Sequence, residues 1–136
     1  MAEKLKLIAF PDRYEENWCL MHMDCEEELR DIAQRSGNLR KLRSNFKTRL
    51  KYLKDHWEQA VQHHEWFEKL SHEKDLYSLH IAVVSNLRII YVLRGKQAWL
   101  LCAFTEKDSK KQDSYKRYIP VAQKRLAKIL EGDNDG

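Results

Sequence analysis

LYSLHIAVVSNLRIIYVLRGKQAWLLCAFTEKDSKK, residues 76–111, holds three apolar runs separated by short polar breaks, after which the chain turns abruptly charged. Runs of this length, bounded by turn residues and rich in Ile, Val, Leu, Tyr and Trp, read as β-strands. Strands are expected over 76–84, 87–94 and 97–104. Ser85–Asn86 fits a two-residue hairpin turn, and Gly95, between Arg94 and Lys96, can take the positive φ that a second turn needs. In the first strand, alternation puts Tyr77, Leu79, Ile81 and Val83 on one face and Ser78, His80 and Ala82 on the other. The second and third strands are apolar on both faces, as in strands covered by other elements. Arg88 is the exception, a charged residue inside an apolar strand.

Upstream, Leu39, Leu42, Phe46, Leu50, Leu53, Trp57, Ala60, His64 and Phe67 recur three or four apart, which is one apolar stripe of a long helix. A break near Asp55–His56 would shorten it, and a coiled-coil dimer could use the same stripe. Before it, Asp24 is placed to N-cap a helix carrying Glu26, Glu27 and Glu28 in its first turn and ending near Ser36–Gly37. The short Gly-containing connection makes these two helices an antiparallel hairpin. Residues 4–10, KLKLIAF, alternate as a strand that Pro11 stops, whereas residues 12–23 fit no single pattern. Residues 113–130 read as a helix with Ile119, Ala122, Leu126 and Ile129 towards the core and Pro120 in its early turns. The order β-α-α-β-β-β-α describes an α+β domain: an N-terminal strand, a helical hairpin, a three-stranded antiparallel meander and a C-terminal helix. A single domain over 1–131 and a disordered tail over 132–136 are expected.

At 136 residues the chain suits one modest core. No apolar run is long enough for a transmembrane helix, and MAEKLKLIAFPD is too short in apolar character for a secretory signal, so a cytoplasmic location without membrane association is expected. Cys19, Cys25 and Cys102 form no CxxC pair and read as reduced, structural thiols. His56, His63, His64 and His72 match neither HExxH nor a zinc-finger spacing, so no metal and no cofactor is expected.

The net charge of +4 conceals segregation. Residues 12–31 hold eight acids against two bases, residues 38–54 hold seven bases and no acid, and residues 104–128 hold eight bases against three acids. Two basic segments in so small a domain point to a polyanionic partner, provided they share a surface.

The segment SNLRIIYVLRGKQAWLLCAFTEKDSKKQDSYKRYIPVAQKRL resembles the RelE/ParE toxin superfamily, in its HigB-like, phage-associated branch. The shared features are a hairpin turn followed by LRIIYVL, a post-turn strand ending in Phe104, the lysine-bearing TEKDSKK, and the Ala122–Arg125 helix segment. WFEKLSHEKDLYSLHI resembles the family's approach to the first meander strand. The resemblance covers roughly residues 39–130 and implies a RelE-like fold. It further implies a toxin of a type II toxin–antitoxin system, either a ribosome-dependent, metal-independent mRNA endonuclease or, as in the ParE branch, a non-enzymatic gyrase inhibitor. A catalytically inactive, protein-binding member of the fold is the remaining alternative. The implied partners are a cognate antitoxin, forming a hetero-oligomer with the toxin, together with mRNA and ribosomal RNA.

Metal-free RNA cleavage requires deprotonation of the ribose 2′-OH, stabilisation of the pentavalent phosphate and protonation of the leaving 5′-oxygen. The resemblance implies that Arg88 braces the scissile phosphate and that Lys107, Lys110 and Lys111 supply charge after the last strand. Glu106 would act as a base or balance that charge, and His80 would act as general acid or base. Tyr115, with Tyr118 as its competitor, would stack on a base or donate to phosphate. Lys116 and Arg117, with Arg43 and Lys47 of the other basic segment, would bind RNA backbone. The family's paired lysines often end the last strand, whereas here the pair comes later, as Lys110–Lys111.

Overall fold

In the computed structural model, residues 4–70, 75–106 and 111–134 are described. They form an α+β fold: one six-stranded sheet and three helices. The strands are β1 (Leu5–Leu7), β2 (Cys19–His22), β3 (Phe67–Leu70), β4 (Leu76–Ile81), β5 (Leu87–Arg94) and β6 (Gln97–Thr105); the helices are α1 (Met23–Ser36), α2 (Leu39–His56) and α3 (Lys111–Asn134). The sheet order is β1-β2-β6-β5-β4-β3, with every neighbouring pair antiparallel except β2 and β6.

Strands β4, β5 and β6 are apolar on both faces because both faces are covered. Leu79, Ile81, Leu87, Ile89, Tyr91, Leu100 and Ala103 join the core made with α1 and α2. Leu76, Ile90, Val92, Trp99, Leu101 and Phe104 join the core made with Ala122, Leu126 and Ile129 of α3. A register shift opposite Ile90 and Tyr91 lets the consecutive Leu101 and Cys102 both enter the α3-side core, as a bulge allows.

The sheet has two strands more than the expected four. Cys19–His22 is a strand because it pairs with β6 at Ala98, Trp99 and Leu100. It is buried on both faces, so it lacks the alternation that would reveal it. Beyond Leu100 no strand among the described residues lies beside this edge of β6, and the Glu28–Arg125 ion pair closes it instead. A Glu28 carboxylate oxygen accepts from the Ala103 amide at 3.1 Å, Arg125 donates to the Leu101 carbonyl at 2.8 Å, and the two side chains bond at 2.7 Å.

The second extra strand, β3, lies where the long helix was expected to continue. The helix ends at His56, because Trp57 takes a left-handed φ of 53° and wedges against Trp18, ring to ring at 5.8 Å. A 3₁₀ turn over Trp57–Gln62 follows, and Phe67 then packs from a strand rather than from a helix. Helix α1 is capped two residues earlier than expected: the N-cap is His22, whose Nδ1 accepts from the Asp24 amide at 3.0 Å. Its C-cap, Gly37, sits at φ 68°. The β4–β5 connection spans residues 82–86 rather than a two-residue turn, which leaves Val83 exposed instead of on the core face. Strand β1 is shorter than the 4–10 span, and α3 extends beyond 113–130 at both ends.

Candidate functional site

Arg88 sits on β5 between His80 of β4 and Phe104 of β6, facing α3. An arginine in this position must be paired, because an uncompensated buried guanidinium costs several kcal/mol. It is 8% exposed and fully engaged. Its Nε donates to Glu106 Oε2 at 2.8 Å and its Nη2 lies 2.7 Å from the same oxygen. Nη1 donates to the Tyr115 hydroxyl at 3.0 Å and lies 3.9 Å from a Glu68 carboxylate oxygen. Having accepted from Arg88, the Tyr115 hydroxyl has one proton to give. Its nearest acceptor is Ser78 Oγ at 2.8 Å, with Glu68 Oε1 at 3.4 Å.

Each partner is held by its own element. The Glu106 amide donates to the Asn86 carbonyl at 3.1 Å, tying the end of β6 to the β4–β5 turn. Tyr115 is fixed on the first turns of α3, edge-on to Phe104 at 5.7 Å. Burial raises the Tyr115 phenol above its ordinary pKa against the opposing pull of Ser78 and Arg88, so it keeps its proton at neutral pH. Burial, and then the charge of Arg88, lower His80 below the ordinary imidazole value, so its ring is neutral at pH 7. The buried His80 Nε2 has no hydrogen-bond partner among the described residues. From the opposite face of the sheet, Arg49 donates to the His80 carbonyl at 3.0 Å and stacks over Trp66 at 4.0 Å; burial lowers its own pKa to about 10. Glu106 also lines a cleft of about 270 Å³ with Arg35, Ser36, Ser85 and Thr105.

Arg88, Glu106, Tyr115 and His80 therefore lie together at one end of the sheet. Tyr118 is not part of the group; it stacks on Phe104 at 4.4 Å. Lys107 and Lys110 lie outside the described residues, as does the side chain of Lys111, the first residue of α3. Lys116 and Arg117 are exposed on α3, and Arg43 and Lys47 are exposed on α2, which covers the other face of the sheet. The two basic segments do not share a surface. Part of the α2 charge is also neutralised from within the chain: Arg43 pairs with Asp12 at 3.1 Å, and Lys54 pairs with Glu16. His56 and His63 stack on Tyr52 and Trp66, each at 4.0 Å, within an aromatic cluster beside the 3₁₀ turn.

Ser78 and Glu68 are the two members of the site that sequence reasoning missed. A serine at alternate register with His80, inside a strand otherwise packed on both faces, was the available signal, because a buried hydroxyl needs a partner. Glu68 carried no such signal while its segment read as helix.

The arrangement offers a guanidinium with a carboxylate on one edge and a phenol on the other, beside a neutral imidazole. An incoming phosphate would compete with Glu106 for the Nε/Nη2 edge, the pair of donors that binds oxyanions in a bidentate manner. Comparison of the chain with protein-family models, with curated proteins and with solved structures finds no significant match.

Proposed function

We propose that this protein is a toxin of a type II toxin–antitoxin pair, a RelE-like, metal-independent endoribonuclease that cleaves mRNA on the ribosome. The observation that carries the reading is the meeting of Arg88, Glu106, Tyr115 and His80, which come from four separate segments, around one guanidinium. The antiparallel β4-β5-β6 meander followed by α3 lies within the residues the resemblance covers and supports this reading, whereas β2 and α1 lie outside them and β3 was not expected. In this reading the substrate phosphate displaces Glu106 from Arg88. Neutral His80 accepts the 2′-OH proton, and Tyr115, which holds its proton, donates towards the leaving 5′-oxygen. The target is RNA because the attacking group is the 2′-hydroxyl. A cognate antitoxin would neutralise the toxin in the cytoplasm.

A second reading is favoured by the completeness of the Arg88 pairing: a guanidinium 8% exposed and held by Glu106 and Tyr115 also describes a structural lock. In that reading the protein is a non-enzymatic member, poisoning gyrase or binding another protein. Inducible expression with 5′-end mapping of transcripts separates the readings. New mRNA ends with growth arrest, both abolished in Arg88→Ala and His80→Gln variants that retain wild-type circular dichroism, support the nuclease. Cleavage undiminished in those folded variants refutes this site. Arrest with DNA damage and intact transcripts, or harmless expression, favours the second reading.

A further inference from the structure

Along α3, ten residues and about 15 Å from Tyr115, lies a second cleft that the nuclease reading does not use. Its volume is about 630 Å³, within the range of sites for small metabolites. One wall is α3, with Lys124 and Lys128 one turn apart, and the other is Lys4, just before β1; all three ammonium groups are exposed and lack an ion-pair partner among the described residues. Arg125 also lines the cleft, but its donors are committed to Glu28 and to the Leu101 carbonyl, so it contributes field rather than a free hydrogen bond. Asp24 and Glu131 are the acids of the lining. Four cations against two carboxylates leave the cleft positive before Arg125 is set against Glu28.

The cleft is also lined by His22, a side chain only 2% exposed, whose ring is fixed by its role as the α1 cap. Nδ1 accepts from the Asp24 amide, so the neutral ring carries its proton on Nε2. Nε2 has no hydrogen-bond partner among the described residues, which leaves a fixed donor on the wall of a cationic cleft. Lys4 and Arg125 face this ring as cations, and Asp24 and Glu28 as anions.

The geometry points to a binding site for a small phosphomonoester, its phosphate held by Lys4, Lys124 and Lys128 and by the Nε2–H of His22. Three mobile ammonium groups suit a compact dianion, to which Lys binds as a point charge. The volume exceeds that of phosphate alone and accommodates the organic part of a mononucleotide or a sugar phosphate. Binding a dianion would offset the burial and the cationic field that hold His22 below its ordinary pKa, so occupancy and protonation of His22 would be coupled.

The test is a titration of the full-length protein at constant ionic strength with inorganic phosphate, adenosine 5′-monophosphate and adenosine, read by calorimetry and by the NMR signals of the His22 ring. Phosphate and the monophosphate should shift the His22 signals and raise its pKa, while adenosine should do neither. The double charge reversal Lys124→Glu/Lys128→Glu, at exposed positions where folding is preserved, should weaken binding at least about tenfold, or ~1.4 kcal/mol. A His22 ring that ignores phosphate, equal binding of adenosine and its monophosphate, or undiminished affinity in the charge-reversed protein would overturn the assignment. None of these outcomes depends on whether the protein cleaves RNA.

Discussion

Arg88 shows how one residue can be both a structural lock and a candidate catalytic group. Removing it by Arg88→Ala leaves Glu106 nearly buried without its counter-charge, and breaking a buried pair in this way costs about 3–5 kcal/mol. Tyr115→Phe keeps the ring against Phe104 but strands one Arg88 donor and the Ser78 hydroxyl, a loss of about 1–3 kcal/mol. Urea denaturation should rank the two in that order, and equal losses would mean that Glu106 does not depend on Arg88. Buried His22 and half-buried His80 set a pH dependence. His22 and His80 both have folded pKa values below the ordinary value near 6.5, so unfolding takes up protons. Their contribution to stability is therefore complete above about pH 6.5 and is lost as pH falls through the lower folded values. A plot of unfolding free energy against pH between neutrality and mild acid should be flatter for His80→Asn than for the wild type; parallel curves would contradict the burial of this ring. Arg88 was legible in the sequence because a lone charge in an apolar strand must be paired or functional. Its phenolic partner was legible only to within the choice of Tyr115 or Tyr118, because the α3 register that selects one of them depends on packing against Phe104.

At the level of elements, periodicity revealed those strands and helices that bury one regular face. The three strands from 76 to 105 were readable instead as long apolar runs bounded by turn residues, and the end of α1 was readable from its C-capping Gly37. Strand β2 was not, since burial on both faces erases alternation, and β3 was hidden because Phe67 continued the apolar spacing of α2. The β4–β5 connection was misread as a two-residue turn because Ser85–Asn86 resembles one. Both residues do adopt left-handed φ values, 52° and 53°, but inside a five-residue loop. Asparagine tolerates that region better than serine, for which it costs about 1–2 kcal/mol. Ser85→Gly should remove that strain at a cost of about 0.5–1 kcal/mol in chain entropy, leaving a net gain of up to about 1.5 kcal/mol that is visible as a higher melting temperature. Ser85→Val should lower it. The closure of the β6 edge is a further element-scale contact with a measurable consequence. In Glu28→Ala the Ala103 amide loses its acceptor, so its hydrogen exchange should accelerate while amides paired between β5 and β6 remain protected. Uniform acceleration would instead mean that the Glu28–Arg125 pair supports the whole sheet.

Across the whole molecule, the charge map decides what kind of polyanion contact is geometrically available. The sequence showed two basic segments but not their relation, because only the topology places α2 and α3 on opposite faces of the sheet. Under the proposed function, a short single-stranded RNA gripped at Arg88 would lie on the α3 side with Lys116 and Arg117, separated by the sheet from Lys47 and Lys51. Each lost phosphate contact reduces the salt dependence of single-strand binding by about 0.7 in the slope of log K against log salt. Replacing both Lys116 and Arg117 by Glu should therefore weaken binding of a short oligoribonucleotide and flatten that slope by about 1.4. Replacing Lys47 and Lys51 by Glu should leave both quantities close to wild type, even though the two variants change the net charge equally. Charge-matched variants isolate position from overall field, since a purely long-range attraction would respond to both alike. If the α2 variant weakens binding as much as the α3 variant, RNA contacts the α2 face as well, and the Arg88 end of the sheet does not determine where the strand lies.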